Sequence, residues 1–145
     1  MDPPYSPWRN ARADLEKAMN EASNSSKRVL LHVGSNACGY CKMWLYMTQN
    51  DTEVRDLLRE NFVHLGVSSD DDNRNEWVVE RYLPDTPGPY RLSLVVLESD
   101  GTPLRAADAG FLLRAGGGYN TDYDRGRVLA FLKRWAPPHE SQRGE

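Results

Sequence analysis

Cysteine is scarce in this chain, with only two among 145 residues. Two thiols separated by two residues close no loop of useful size, so a disulfide-stapled scaffold is excluded. Long apolar runs are missing as well. No stretch approaches the ~20 consecutive apolar residues of a transmembrane helix. Neither charge dominates: 18 Lys and Arg stand against 21 Asp and Glu, a net charge of −3, with the signs interspersed. No basic stripe marks a nucleic-acid site, and no Lys/Arg cluster marks a membrane surface. Internal repeats are absent. The segment 1–8 is polar and Pro-rich and has neither region of a signal peptide. Two readings stay open: a cytosolic protein, or one whose signal has been removed.

What is present is 39% hydrophobic residues, gathered in short runs between polar turns. That pattern belongs to a folded chain rather than a disordered one. The length fits a single domain over 1–145, with 1–7 as an extended lead-in and 137–145 as a flexible tail. A globule of this size buries about 70% of its unfolded surface and needs no staples.

Apolar residues at Trp8, Ala11, Leu15, Ala18, Met19 and Ala22 fall at helical steps and predict an amphipathic helix over about 8–23. The run 29–33 is almost continuously apolar and β-branched, as in a strand buried on both faces. A helix follows Cys41 through Met43, Trp44 and Met47. Asn50 or Asp51 then serves as an N-cap for a segment carrying Val54, Leu57 and Leu58, closed by Asn61. Residues 62–67 form a second strand, and the polar run 68–75 feeds a helix at about 74–82. Pro84, Pro87 and Pro89 impose an extended loop. Strand 92–98, a turn at Ser99-Asp100-Gly101-Thr102 and an edge strand over 103–110 make a hairpin. A glycine loop at Arg114–Tyr119 precedes a last helix that starts at Asp122, carries Val128, Phe131, Leu132 and Trp135 on one face, and stops at Pro137. The order αβαβαββα requires a parallel pair plus a hairpin, hence an α/β, four-stranded mixed sheet flanked by helices on both faces.

Cys38 and Cys41 lie at the junction between the buried strand and the following helix. A Cys-x-x-Cys in that place, within this element order, resembles the thioredoxin fold. Matching pieces are Val29-Leu30-Leu31, Cys38-Gly39-Tyr40-Cys41-Lys42-Met43, Asn61-Phe62-Val63, Asn73-Arg74-Asn75-Glu76, Leu94 to Gly101 and Phe131 to Trp135, together spanning about 8–136. The chain is similar to bacterial thioredoxin-like proteins that begin with a Trp-containing helix. Members of that group are often exported, which favours a periplasmic or otherwise extracytoplasmic home over a cytoplasmic one.

The resemblance implies a thiol–disulfide oxidoreductase acting on protein thiols and disulfides, with a separate redox partner, as a monomer. It implies no cofactor beyond a redox-active Cys38–Cys41 disulfide and no metal. Cys38 at a helix N-terminus would have its thiolate favoured and act as nucleophile. Cys41, one turn on, would resolve the mixed disulfide. Gly39 and Tyr40 tune the potential in this family, and Tyr40 offers an aromatic rim to a polypeptide. A zinc site needs about two further ligands, and His32, His64 and His139 have no clustered spacing. An inert pair, an interaction module with weak or no turnover and a glutaredoxin-like, glutathione-using role are the remaining alternatives.

Three positions depart from the family pattern. His32 stands where thioredoxins place a buried carboxylate that moves the resolving cysteine's proton. An imidazole can take that proton near neutral pH, and the other reading is a core histidine bonded to the backbone. Ala37 replaces the usual tryptophan. Leu92, preceded by Arg91, replaces the cis-proline that binds substrate backbone and blocks metal. A cis bond before Leu92 would cost about 3 kcal/mol, so trans is expected there; Pro89 substitutes only if the loop shifts register. Arg91 and Leu92 are expected to line the substrate groove. Trp44, Trp77 and Trp135 read as core or rim. Asp70-Asp71-Asp72-Asn73 lacks the glycine and glutamate of a calcium loop and reads as a solvated, helix-initiating run. Gly116-Gly117-Gly118 lacks the context of a phosphate loop.

Overall fold

The structure, a computed structural model, describes residues 5–83, 92–113 and 123–138. The expected proline loop at Pro84 to Pro89, Arg91, the glycine loop at Arg114–Tyr119, Asp122, His139 and the tail from 139 lie outside the described residues.

Helix α1 spans Ala11–Ser25 and strand β1 spans Arg28–Gly34. Helices α2 and α3 span Gly39–Asn50 and Thr52–Asn61. Strand β2 (Phe62–Ser68), helix α4 (Glu76–Tyr82), strands β3 (Ser93–Leu97) and β4 (Pro103–Asp108) and helix α5 (Arg125–Trp135) complete the order. The sheet runs β2-β1-β3-β4. β1 is parallel to β2 and antiparallel to β3, and β3–β4 is the expected hairpin. Gly101 takes φ +93° in its turn, where a side chain would be strained.

The core divides into two layers, one on each face of the sheet. Leu30, Leu94 and Val96 face Trp44 of α2, Val54 and Leu58 of α3, and Val128 and Leu132 of α5. Val29, Leu31, Val33, Val95 and Leu97 face Ala18 and Ala22 of α1 and Val78 of α4. β1 is therefore apolar on both sides because both sides are covered, and each buried Leu or Val contributes about 1.5–3 kcal/mol. The mixed sheet with helices on both faces is the expected architecture. Among the described residues no helix is long and apolar enough to cross a membrane.

Several boundaries differ from the sequence reading, each through a capping side chain. The first helix starts at Ala11, not Trp8, because Asn10 takes extended backbone and its side chain accepts the Ala13 N–H. Trp8 is left 87% exposed rather than on the apolar face. Asp108 ends β4 two residues early by accepting the Gly110 N–H at 2.8 Å, which starts a 3-10 turn over Ala109–Leu112. The last helix begins after Asp124, which accepts the Arg127 N–H, rather than at Asp122.

Candidate functional site

The C-terminal end of β1 aims the chain at the site. Gly34 ends the strand, Ser35 to Ala37 turn, and Cys38 caps α2 with extended backbone at φ −89°, ψ 115°. The turn is held from three sides. Ser69 donates its backbone N–H to the Gly34 carbonyl at 2.8 Å. The Asp70 carboxylate accepts from the Asn36 N–H at 3.0 Å and from its side-chain amide at 3.2 Å. The same amide donates to the Tyr5 carbonyl at 2.8 Å. Asp70, read from sequence as part of a solvated acidic run, is thus half-buried and anchors the cysteine loop.

Cys38 and Cys41 form a disulfide, with Cα atoms 5.2 Å apart. The Cys41 N–H donates to Cys38 Sγ at 3.1 Å. That bond and the helix N-terminus are the two features that stabilise negative charge on a thiolate. Cys41 is fully buried and Cys38 is 1% exposed. A sulfur so covered meets a substrate disulfide only after its neighbours are displaced. Gly34 is required by close approach: a Cβ there would overlap Cys41 Sγ and lie 3.0 Å from the Tyr5 hydroxyl.

His32 lies on the same face of β1 as Gly34, one strand repeat earlier, and is 4% exposed. Its Nδ1 is hydrogen-bonded to the Tyr5 hydroxyl at 2.8 Å, a side-chain partner rather than the backbone group of the alternative reading. His64 reaches the same place from β2. The parallel register sets His64 beside Leu30 and Gly66 beside His32, and the two imidazoles meet at 4.5 Å between centroids. Trp44 Nε1–H donates to His64 Nε2 at 3.2 Å. Indole nitrogen only donates, so His64 Nε2 carries no proton and the neutral ring carries it on Nδ1. Burial brings the His64 pKa down to about 4. Burial, with His64 alongside, holds His32 well below the usual histidine range. Burial first, then the nearby Asp70 charge, raises Tyr5 above the usual phenol range.

Ala37 and Gly39 are exposed at the rim. Tyr40 is half-buried, and its carbonyl accepts from the Tyr123 hydroxyl at 3.0 Å. Leu92 is 2% exposed, and its carbonyl accepts the Ala109 N–H at 2.8 Å. Leu92, Tyr40, Ala109 and Tyr123 line a cavity of about 20 Å³, room for about one water. Beside α2 an open groove of about 550 Å³ is bordered by Met43, Tyr46, Met47 and Tyr123. The structure brings Cys38, Cys41, His32, Gly39, Tyr40 and Leu92 to one end of the sheet. Sequence reasoning missed Tyr5, His64 and Tyr123. Only His64 had a local signal, a polar residue interrupting an otherwise apolar strand. Among the described residues no group of three or more His, Cys, Asp or Glu is placed to hold a metal ion.

No curated protein gives a significant match to the chain. Among solved structures it is similar to a disulphide isomerase from Xylella fastidiosa Temecula1, at 21% identity and a TM-score of 0.72, over 92% of this chain and 97% of that one. The oxidised C-terminal domain of DsbD from Neisseria meningitidis gives a TM-score of 0.56 at 16% identity, covering 86% and 92%. A thioredoxin from Thermus thermophilus gives 0.54 at 21% identity, covering 81% and 80%. These likenesses carry the fold. Residues 8–99 match the family model described as thioredoxin-like, and the chain belongs to that family.

Proposed function

We propose that the protein is a thiol–disulfide oxidoreductase that exchanges disulfides with protein substrates through Cys38 and Cys41. The observation that carries this reading is the pair itself: a disulfide at a helix N-terminus with the Cys41 N–H on Cys38 Sγ. In the reducing direction the Cys38 thiolate attacks a substrate disulfide, forms a mixed disulfide and releases one substrate thiolate. Cys41 then gives up its proton, attacks Cys38 Sγ and releases the second, leaving the Cys38–Cys41 disulfide for a redox partner to reduce. His32 takes the Cys41 proton. Gly39, Tyr40 and Leu92 border the place where substrate backbone would lie; Arg91, the remaining groove candidate from the sequence, lies outside the described residues. The apolar groove past Met43 and Tyr46 suits an extended polypeptide. The disulfide is the only redox group the reading requires. The similarity to a disulphide isomerase and to a DsbD domain supports this class of chemistry, and an extracytoplasmic home, where disulfides persist, fits it.

A second reading, an interaction module with little turnover, is favoured by the 1% exposure of Cys38 and by Leu92 in place of the family's proline. Insulin reduction with dithiothreitol separates the two, together with capture of mixed disulfides by Cys41→Ser. The oxidoreductase precipitates insulin and yields adducts on Cys38. Neither turnover nor adducts would leave the module.

A further inference from the structure

We propose that the Tyr5 hydroxyl carries the Cys41 thiol proton to His32, so that the resolving step runs through the N-terminal segment. The inference rests on the oxidoreductase reading and adds a residue to it. Tyr5 precedes the stretch that matches the family model, which begins at residue 8.

Two groups border the space that a Cβ on Gly34 would fill, and one of them reaches a third. Cys41 Sγ borders it, the Tyr5 hydroxyl lies 3.0 Å from it, and that hydroxyl is 2.8 Å from His32 Nδ1. The phenol hydroxyl therefore touches the imidazole and, like the sulfur, borders the space beside Gly34. A hydroxyl donates and accepts at once, so it can donate to Nδ1 while its oxygen accepts the Cys41 S–H. The placement is built rather than incidental. Tyr5 is 1% exposed although it lies in a polar, Pro-rich segment, and burying a hydroxyl is costly unless it is partnered. Its ring meets His32 edge-on at 5.4 Å, and its carbonyl is tied to Asn36 of the cysteine loop.

In the mixed disulfide Cys38 Sγ is bonded to a substrate sulfur and Cys41 is a thiol. The Cys41 proton moves to the Tyr5 oxygen as the Tyr5 proton moves to His32 Nδ1. The Cys41 thiolate attacks Cys38 Sγ, the Cys38–substrate bond breaks, and its electron pair leaves on the substrate thiolate. The cysteine pair is oxidised and the substrate sulfur reduced. The proton on His32 is then lost to the departing thiolate or to water. Buried beside a second imidazole, His32 passes the proton on rather than storing it. The other ionisable groups facing Tyr5 and His32 are Asp70 after β2, His64 on β2, Tyr123 before α5 and Cys38 at the start of α2.

Stopped-flow reaction of the reduced protein with 5,5′-dithiobis(2-nitrobenzoate) tests this, because attack by Cys38 and resolution by Cys41 each release one thionitrobenzoate. Tyr5→Phe keeps the ring and removes only the hydroxyl. Its first phase should be unchanged and its second slowed roughly 10²-fold at pH 7, the lower end of general acid–base effects. The second phase should recover as pH rises toward the ordinary thiol pKa of about 8.5. His32→Asn, which retains a partner for Tyr5 without a titrating ring, should give the same profile. The double variant should be no slower than either single one. A second phase in Tyr5→Phe with the wild-type rate and pH profile overturns the relay and leaves the dithiol reading intact. So does a slowing of both phases with no change of pH profile, which marks a structural role. A wild-type protein with no first phase overturns the dithiol reading and the relay with it. Should Tyr5→Phe lose its cooperative thermal transition, 3-fluorotyrosine at position 5, which keeps the hydroxyl and lowers its pKa, takes its place: a shifted pH profile of the second phase alone supports the relay, and an unchanged profile overturns it.

Discussion

At the scale of single residues, the least expected feature is a pair of neutral histidines beneath the disulfide. Each is neutral because burial penalises the imidazolium, and protonating His64 at Nε2 would also break its bond from Trp44. This has a consequence for stability. In the unfolded chain both histidines take up protons near pH 6.5, whereas the folded chain holds His64 neutral to about pH 4 and His32 neutral well below the usual range. Their contribution is therefore complete above pH 6.5 and is lost as pH falls from there toward 4. The slope approaches about 1.4 kcal/mol per pH unit for each histidine. Urea unfolding of the oxidised protein should show a midpoint that drops between pH 7 and pH 5, and His64→Gln should roughly halve that drop. A flat midpoint would contradict the neutral pair. Little of this was legible in the sequence. His32 stood out because it interrupts an apolar strand. His64 and Tyr5 join it only through a strand register and a contact spanning 27 residues, neither of which has a local signature.

At the scale of elements, caps set most of the boundaries. The strand, turn and helix around Cys38 were legible because each follows from a short-range pattern: a β-branched run, a small-residue turn and helical spacing. The break between α2 and α3 was legible too, and Asp51 makes it. Its side chain accepts the Val54 N–H at 3.2 Å and also holds Arg125 at 2.6 Å. The cap should outweigh the ion pair, since the Arg125 side chain is 55% exposed. Asp51→Ala is expected to cost about 1 kcal/mol in urea unfolding, and Arg125→Ala, which removes the ion pairs to Asp51 and Glu53 and leaves the cap, should move the midpoint less. The reverse ranking would mean that the ion pair, not the cap, fixes α3. The misplaced ends of the first helix, the edge strand and the last helix share one cause. Asn10, Asp108 and Asp124 are ordinary polar residues until the backbone around them is known, and several neighbouring positions could have capped equally well.

At the scale of the whole molecule, the mixed sheet brings together groups that are far apart in the chain. β1 carries His32 and Gly34, β2 carries His64, and the N-terminal segment lays Tyr5 across both, under the start of α2. The architecture was legible because alternating strands and amphipathic helices admit few arrangements. The side-chain contacts around the disulfide were not, since they join distant segments such as Tyr5 and β1. Those contacts leave Cys38 almost fully covered, so the central claim, reversible exchange at Cys38–Cys41, turns on access as well as chemistry. The most direct test is a redox titration of the folded protein in glutathione buffers, with the two states separated by thiol alkylation and mass spectrometry. The account predicts one reversible two-electron transition that reaches the same endpoint from either side. A disulfide that stays oxidised across the series while the fold is intact, and reduces only on unfolding, would contradict it.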